Sequence, residues 1–508
     1  MSGRPASDVG SALVWKGVQL FGAKAISLVR FVILARLLTP EDFGLLAIAA
    51  VAVELVMAVT TVGVGEVLVQ RAEIRNDLYH TAWTVGVLRA ALVALVLMIG
   101  APYFAELFGE PRATNILRVL ALKPILDATS SIKLVDLTRK LRFQPIAMIR
   151  ISAAAIDTLG TILLVLVLPP LLVDVTVSIA LVQSLGVWAL VAGAFAGSFA
   201  SVVLSFVIAP YLPRFHLERS AVRGLFRFGK WLFATSLVGI IGHVILRGII
   251  SARLGAAELG LFYLALKLTA LPNSVAGEVI RSVTFPVVSR VQFDMERVRR
   301  AYQASFTAIL VVLLPVYVVM IVLSFSLCRY VLGPQWAGLA PVIQILAFDG
   351  VIDVPSDVAK PLLLGIGQPH KRFALKGIRT LVIICLAWGL TAAWGVMGAA
   401  FAWVVAEGVQ SAVAIAMVRR IIPRPFAGMT GVIVAIAVSA LAGGGFAWGV
   451  NALLSGIVGL VAGALAGLMI AAVLLLVLDR QYQLDVASQF GKAFPALATR
   501  LSLLTESR

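Results

Sequence analysis

Arg30 lies in the stretch LVRFVILARLLTPEDFGLLAIA (Leu28–Ala49), where two apolar runs meet at a short polar corner. It belongs to a set of cations set inside apolar runs, with Lys24, Arg89, Lys123, Arg150, Arg247 and Lys267. A second set is acidic: Glu54, Asp127, Asp157, Asp349, Asp353 and Asp357. At mid-bilayer depth a charge costs on the order of 3 kcal/mol even on a lenient insertion scale, so such residues face a protein interior or a wet cavity. The chemistry open to them is ionic: cations that hold an anionic cargo, and carboxylates that take up a proton or Na⁺.

The elements that must position these charges are membrane spans. The chain has 508 residues, is 61% apolar and only 13% charged, and its mean hydropathy is +1.02. Runs of 18 or more apolar residues recur, each long enough to cross roughly 30 Å of hydrocarbon as a helix. The first run, near residues 11–35, is too long for a signal-peptide core and is read as a retained span. Fourteen spans are expected, starting near residues 11, 45, 81, 114, 145, 179, 226, 257, 303, 339, 372, 395, 428 and 453. The fold class is therefore an all-α polytopic membrane protein of about fourteen transmembrane helices.

The connections sort into two sets. Even-numbered ones contain RAEIRND, TRKLR, RFHLERSAVRGLFRFGK, RSVTFPVVSRVQFDMERVRR, QPHKRFALK and RRIIPRP; all but the first are strongly basic. Odd-numbered ones, such as TPEDFG, AELFGEPR and RLGAAELG, are acidic or near neutral. Lys and Arg stay on the cytoplasmic side, so the even connections and both termini are expected there. The net charge of +17 is thus mainly topological, with anionic-lipid contact second, and nucleic-acid binding is not expected. Cys328 and Cys385 lie in separate apolar runs and the four histidines are scattered, which gives no disulfide framework and no metal motif. There is no Ser/His/Asp set, no Walker loop and no connection long enough for a catalytic domain, so neither an enzyme nor a bound cofactor is expected.

The opening motif recurs. LVRFVILARLLTPEDFGLL aligns with ILRGIISARLGAAELGLF (Ile245–Phe262), placing Arg30 on Arg247, Arg36 on Arg253 and Gly44 on Gly260. RVLALKPILDATSS aligns with QILAFDGVIDVPSD, placing Asp127 on Asp353. GVWALVAGAF resembles GVMGAAFAWV. The expected organisation is two pseudo-symmetric six-span lobes, 1–215 and 220–420, two additional spans over 425–480, and a cytoplasmic tail over 481–508. Two such lobes with a site between them are a common transporter design.

On ARLLTPEDFGLLAIA, its pair ARLGAAELGLFYLA, FPVVSRVQFDMERVRRAY and the two GV-type spans, the chain resembles the polysaccharide-transport branch of the multidrug/oligosaccharidyl-lipid/polysaccharide exporter superfamily. Within that branch it is similar to Wzx-type oligosaccharide flippases of the colanic-acid-exporter kind, over essentially the whole chain. The resemblance implies a bacterial inner-membrane protein that carries undecaprenyl-pyrophosphate-linked oligosaccharide repeat units from the cytoplasmic to the periplasmic leaflet by alternating access. Membrane lipids, and a polymerase and co-polymerase of the same pathway, are the implied partners. Related lipid II flippases carry an essential arginine in the first span, where Arg30 stands here.

Arginine suits that cargo, because a guanidinium presents fixed planar donors to phosphate oxygens and low dielectric strengthens the attraction. On a helical wheel Lys16, Gln19 and Arg30 fall within about 60° of one another, with Lys24 about 80° from Lys16. Arg247 would add a second arginine from the matching repeat position. Lys16, Arg89 and Arg150 lie near the cytoplasmic face, where reaching back to the surface competes with lining a cavity. Glu54 and Lys267 share a depth in corresponding spans and would pair. Lys123, Asp127 and Ser130 share a face. So do Asp349, Asp353, Asp357 and Lys360, which form either an H⁺- or Na⁺-coupling site, a sugar-binding stripe, or a structural network. Pro355 is expected to kink that span. SRVQFDMERVRRAY is expected to lie on the membrane surface as an amphipathic helix, with Glu278 and Arg281 at the rim. GLVAGALAG is read as intramolecular helix packing. Two other functions compete. An ion-coupled exporter of organic cations fits the cationic first span poorly. A membrane polymerase or ligase would need a large periplasmic loop, and the odd connections are short.

Overall fold

The computed structural model describes residues 6–59, 76–139, 142–166, 175–291, 294–365 and 368–482. All regular structure among them is helical. Nine described stretches are long and apolar enough to span a bilayer, one of them the 52-residue His370–Ile421. All fourteen expected span starts fall within a few residues of a helix, so the fold is that of a polytopic α-helical membrane protein. Ile99, Leu159, Val207, Leu441 and Val458 are exposed on it, as lipid contact requires.

The first contact unit is 1–260. Helix α1 (Ala6–Leu37) turns into α2 (Pro40–Val59) at a corner that Thr39 and Asp42 close on each other. The Asp42 carboxylate accepts the Thr39 N–H and hydroxyl, both at 2.9 Å, and the Asp42 N–H returns to the Thr39 hydroxyl at 3.4 Å. This is a reciprocal helix cap, with Glu41 and Asp42 at the electropositive end of α2. Helix α3 (Asn76–Leu107) follows. The fourth expected span is three short helices, α4 (Ala113–Leu120), α5 (Lys123–Ala128) and α6 (Leu134–Arg139). Pro124, in the first turn of α5, has no N–H to offer the preceding turn and enforces the first break. Helices α7 (Phe143–Leu166), α8 (Val175–Ile208) and α9 (Arg219–Leu254) complete the unit, and α10 (Ala256–Val291) begins at its end and lies mostly in the second.

The aligned corners meet reciprocally. Gly44 faces the Ala256 carbonyl, and Gly260 faces the Pro40 carbonyl; at either position a Cβ would collide with that backbone. Both glycines are therefore required by close approach rather than by φ. Because α9 packs on α2 and α3, the contact border falls at 260/261, one helix beyond the sequence-repeat border at 215–220.

The second unit is 261–508. Helix α11 (Met295–Ser326) is capped by the Asp294 carboxylate, which accepts the Arg297 N–H at 3.1 Å, and ends in a wide turn at Leu327–Leu332. The basic stretch from Met295 is thus the first turns of a transmembrane helix and not a separate surface helix. Val298, Tyr302, Phe306, Ile309 and Leu313 form one buried stripe that carries straight on into the core. Helices α12 (Leu339–Ile352) and α13 (Val354–Gly365) are one span broken at Asp353, two residues before Pro355, as a missing proline N–H dictates. Helix α14 (Pro369–Ile421) holds two spans and folds back at Gly395, whose φ of 58° favours glycine. Helices α15 (Thr430–Leu453) and α16 (Gly456–Tyr482) pack through Gly443, Gly463 and Gly467, which are consumed in that contact.

Candidate functional site: a charge-lined cavity in the first unit

Arg30 projects from α1 onto Asp157 of α7, and its Nη1 donates to the Asp157 Oδ2 in a short ion pair. Its Nη2 also reaches the Leu190 carbonyl of α8 at 3.4 Å. Asp157 can sit there because α7 and α8 pack at glycine distance. A Cβ at Gly197 would stand 2.7 Å from the Asp157 Cβ, and one at Gly193 2.7 Å from the Asp157 carbonyl oxygen. The second carboxylate oxygen of Asp157 is buried and takes no hydrogen bond among the described residues.

Asp157 also forms part of the wall of a cavity of about 530 Å³, together with Lys123, Asp127, Ser130, Arg150 and Ser198. The remaining wall is mostly alanine and glycine, so the polar groups are its contact points. A second cavity of about 460 Å³ is bounded by Arg89, Trp83 and Met57, and it shares Lys123, Asp127 and Ser130 with the first. Both volumes fall in the range of small-ligand sites, roughly 300–1,000 Å³. The shared wall is the broken span: Lys123 Nζ donates to the Asp127 Oδ2 at 2.7 Å, and both side chains are partly exposed. Arg89 Nη2 donates to the Met57 carbonyl at 3.4 Å. Arg89 and Arg150 both stand in cavity walls.

The other expected residues are placed differently. Arg247 is buried, 7% exposed, and its Nη1 lies 3.4 Å from the Glu54 carboxylate on α2. Glu54 is thus engaged by Arg247, where Lys267 was the expected partner. Lys267 lies over the Tyr263 ring, 5.2 Å from its centroid. Neither cavity wall includes Arg247. Lys24 is half-buried on α1. The side chains of Lys16, Glu278 and Arg281 lie outside the described residues.

Acids of the second unit form an ion-pair network, outside which the Asp349 Oδ1 is buried without a hydrogen bond among the described residues. Lys360 Nζ donates to Asp353 at 3.1 Å and to Asp357 at 2.9 Å. Two members escaped the sequence reading: Arg379, inside the eleventh expected span, and Glu407, a lone acid in the twelfth. Arg379 Nε meets the Glu407 carboxylate at 2.6 Å, and its guanidinium lies over the Trp403 ring, 4.2 Å from the centroid. Gln410 donates to Glu407 and, at 2.9 Å, to the Ser356 hydroxyl. Asp349 lies in the field of Arg379 and Lys360. Among the described residues, no group of three or more His, Cys, Asp or Glu is arranged to hold a metal ion.

A helical bundle with apolar outer surfaces, broken spans and charges turned inward defines a polytopic membrane transporter. Solved structures share the fold. The lipid II flippase MurJ in an inward closed conformation matches with a TM-score of 0.70 at 15% identity, over 92% of this chain and 99% of that one. An inward-facing multidrug resistance MATE family transporter of the MOP superfamily matches with a TM-score of 0.61 at 16% identity, over 81% and 98%. The chain belongs to the polysaccharide biosynthesis protein family, whose model matches residues 33–171 and 168–341. Among its relatives are the succinoglycan biosynthesis transport protein ExoT of Rhizobium meliloti, 26% identical over 72% of this chain and 70% of that one. The lipopolysaccharide biosynthesis protein WzxC of Escherichia coli is 21% identical over 74% and 73%.

Proposed function

We propose that the protein is a flippase for undecaprenyl-pyrophosphate-linked oligosaccharide repeat units and moves them from the cytoplasmic to the periplasmic leaflet of a bacterial inner membrane. The observation that carries this reading is the cavity of the first unit, where Lys123 and Arg150 stand beside the Arg30–Asp157 pair. A diphosphate entering a low-dielectric bundle needs fixed cationic donors, and these supply them. Serines on the same walls, Ser130 and Ser198, offer hydroxyls to a sugar. The chain acts as a transporter and not an enzyme, with both termini cytoplasmic, in a pathway that also holds a polymerase and co-polymerase. An H⁺ or Na⁺ gradient would drive net movement, with Asp349, Asp353 and Asp357 the carboxylates to test for coupling.

Disrupting the gene and locating the accumulated lipid-linked repeat units tests the reading. Accumulation in the cytoplasmic leaflet is expected. Accumulation on the periplasmic side would overturn it in favour of a polymerase or ligase.

A further inference from the structure

We infer that Asp157 is the resident counter-anion of Arg30, and that a diphosphate headgroup must displace its carboxylate to reach the guanidinium; the inference rests on the flippase reading above. Asp157 belongs to the 530 Å³ cavity wall whereas Arg30 does not. The carboxylate is thus the member of the pair that the cavity reaches, and one of its oxygens occupies a place on Nη1 that a phosphate oxygen would take. An unpaired guanidinium at this depth would be costly, so an empty transporter needs an internal anion on Arg30. A carboxylate supplies that charge and competes with the cargo.

The geometry makes Asp157 a replaceable partner. Of its two oxygens Oδ2 meets Arg30, and Oδ1 is buried without a hydrogen bond among the described residues. Its backbone is fixed by the close α7–α8 packing at Gly193 and Gly197, so release requires only a side-chain rotation. Lys123 lines the same cavity as Asp157. It can receive the carboxylate once Arg30 turns to the ligand. Asp157 thus acts through Arg30 as a positioning residue: it weakens cargo binding and, by re-taking Arg30, speeds release.

The test uses the full-length protein in detergent, with undecaprenyl diphosphate and inorganic pyrophosphate as probes, and polymer export in cells as the turnover readout. Asp157→Asn should bind undecaprenyl diphosphate about tenfold more tightly, a shift of the size one charged competitor imposes, while export slows. Asp157→Glu should stay near wild type on both. Arg30→Gln should bind weakly, and Asp157→Asn should add nothing in the Arg30→Gln background. A purely structural Asp157 would give the opposite pattern, with Asp157→Asn binding as weakly as Arg30→Gln, and that would overturn the inference. Should wild type and Asp157→Asn both bind pyrophosphate but neither bind the polyprenyl lipid, the flippase reading fails; the Asp157 assignment then stands or falls on whether the variant binds pyrophosphate more tightly.

Discussion

The repeat places Asp127 of α5 on Asp353 at the α12–α13 break, and the two sites have become different things. In the first unit one exposed ion pair, Lys123–Asp127, stands on the wall shared by two cavities. In the second unit Lys360 bridges two carboxylates, and Arg379, Glu407, Gln410 and Ser356 continue the network through α14. Where partners come from several helices, the charges lock a core. Where one pair is left facing space, the charges remain available to a ligand. The α1–α2 and α9–α10 corners supply the contrast, since there Gly44 and Gly260 still make equivalent contacts.

Removing Lys360 would break this comparison most severely. Lys360→Met leaves Asp353 and Asp357 facing each other without their cation. Stripping one partner from a fully buried pair costs about 3–5 kcal/mol; these side chains are 16–24% exposed, so a smaller loss is expected, still large enough to lower folded yield and thermal midpoint in detergent. A Lys360→Met protein as stable as wild type would show that the network is no lock. Next come the corners: Gly44→Val and Gly260→Val each force a Cβ against a backbone carbonyl, an overpacking cost of about 1–3 kcal/mol. Thermal unfolding should show similar losses for the two, as reciprocal contacts require; a loss at only one would end the symmetry.

The fold was legible because hydropathy and charge alternation report on lipid and on topology, and tertiary detail cannot disguise them. The ion pairs divide by distance along the chain. Lys123–Asp127 and Lys360–Asp357 sit on single helices, where spacing of three or four residues brings side chains together. Arg30–Asp157 is separated by 127 positions, and each residue was visible only as an isolated charge. Arg379 and Glu407 face each other because α14 folds back at Gly395, where the twelfth span was expected to begin, but which residues of the two spans then meet is not set by local spacing. The surface helix expected at SRVQFDMERVRRAY was misread because its charges obscure Val298 and Tyr302, which begin the buried stripe of α11.

Smaller effects sharpen the contrast. Lys123→Met should leave stability within about 1 kcal/mol, since the pair is partly exposed, while polymer export falls severalfold; a stability loss like that of Lys360→Met would erase the distinction. Smallest of all, Arg112→Ala removes contacts to Glu110 at 3.0 Å and to Glu41 at 3.2 Å in the exposed connection after α3. Those two acids push the Arg112 pKa further up, so it stays charged at every physiological pH. Export by Arg112→Ala cells should match wild type at any growth pH.

The central claim is that the cations of the first unit, and not those of the second, hold the cargo's diphosphate. Equilibrium binding of undecaprenyl diphosphate to the purified full-length protein tests it most directly, comparing Arg30→Gln, Lys123→Met and Arg150→Gln with a Lys267→Met control. The account predicts at least about tenfold weaker binding for Arg30→Gln, with losses for Lys123→Met and Arg150→Gln and none for Lys267→Met. Wild-type affinity in all three first-unit variants would contradict it.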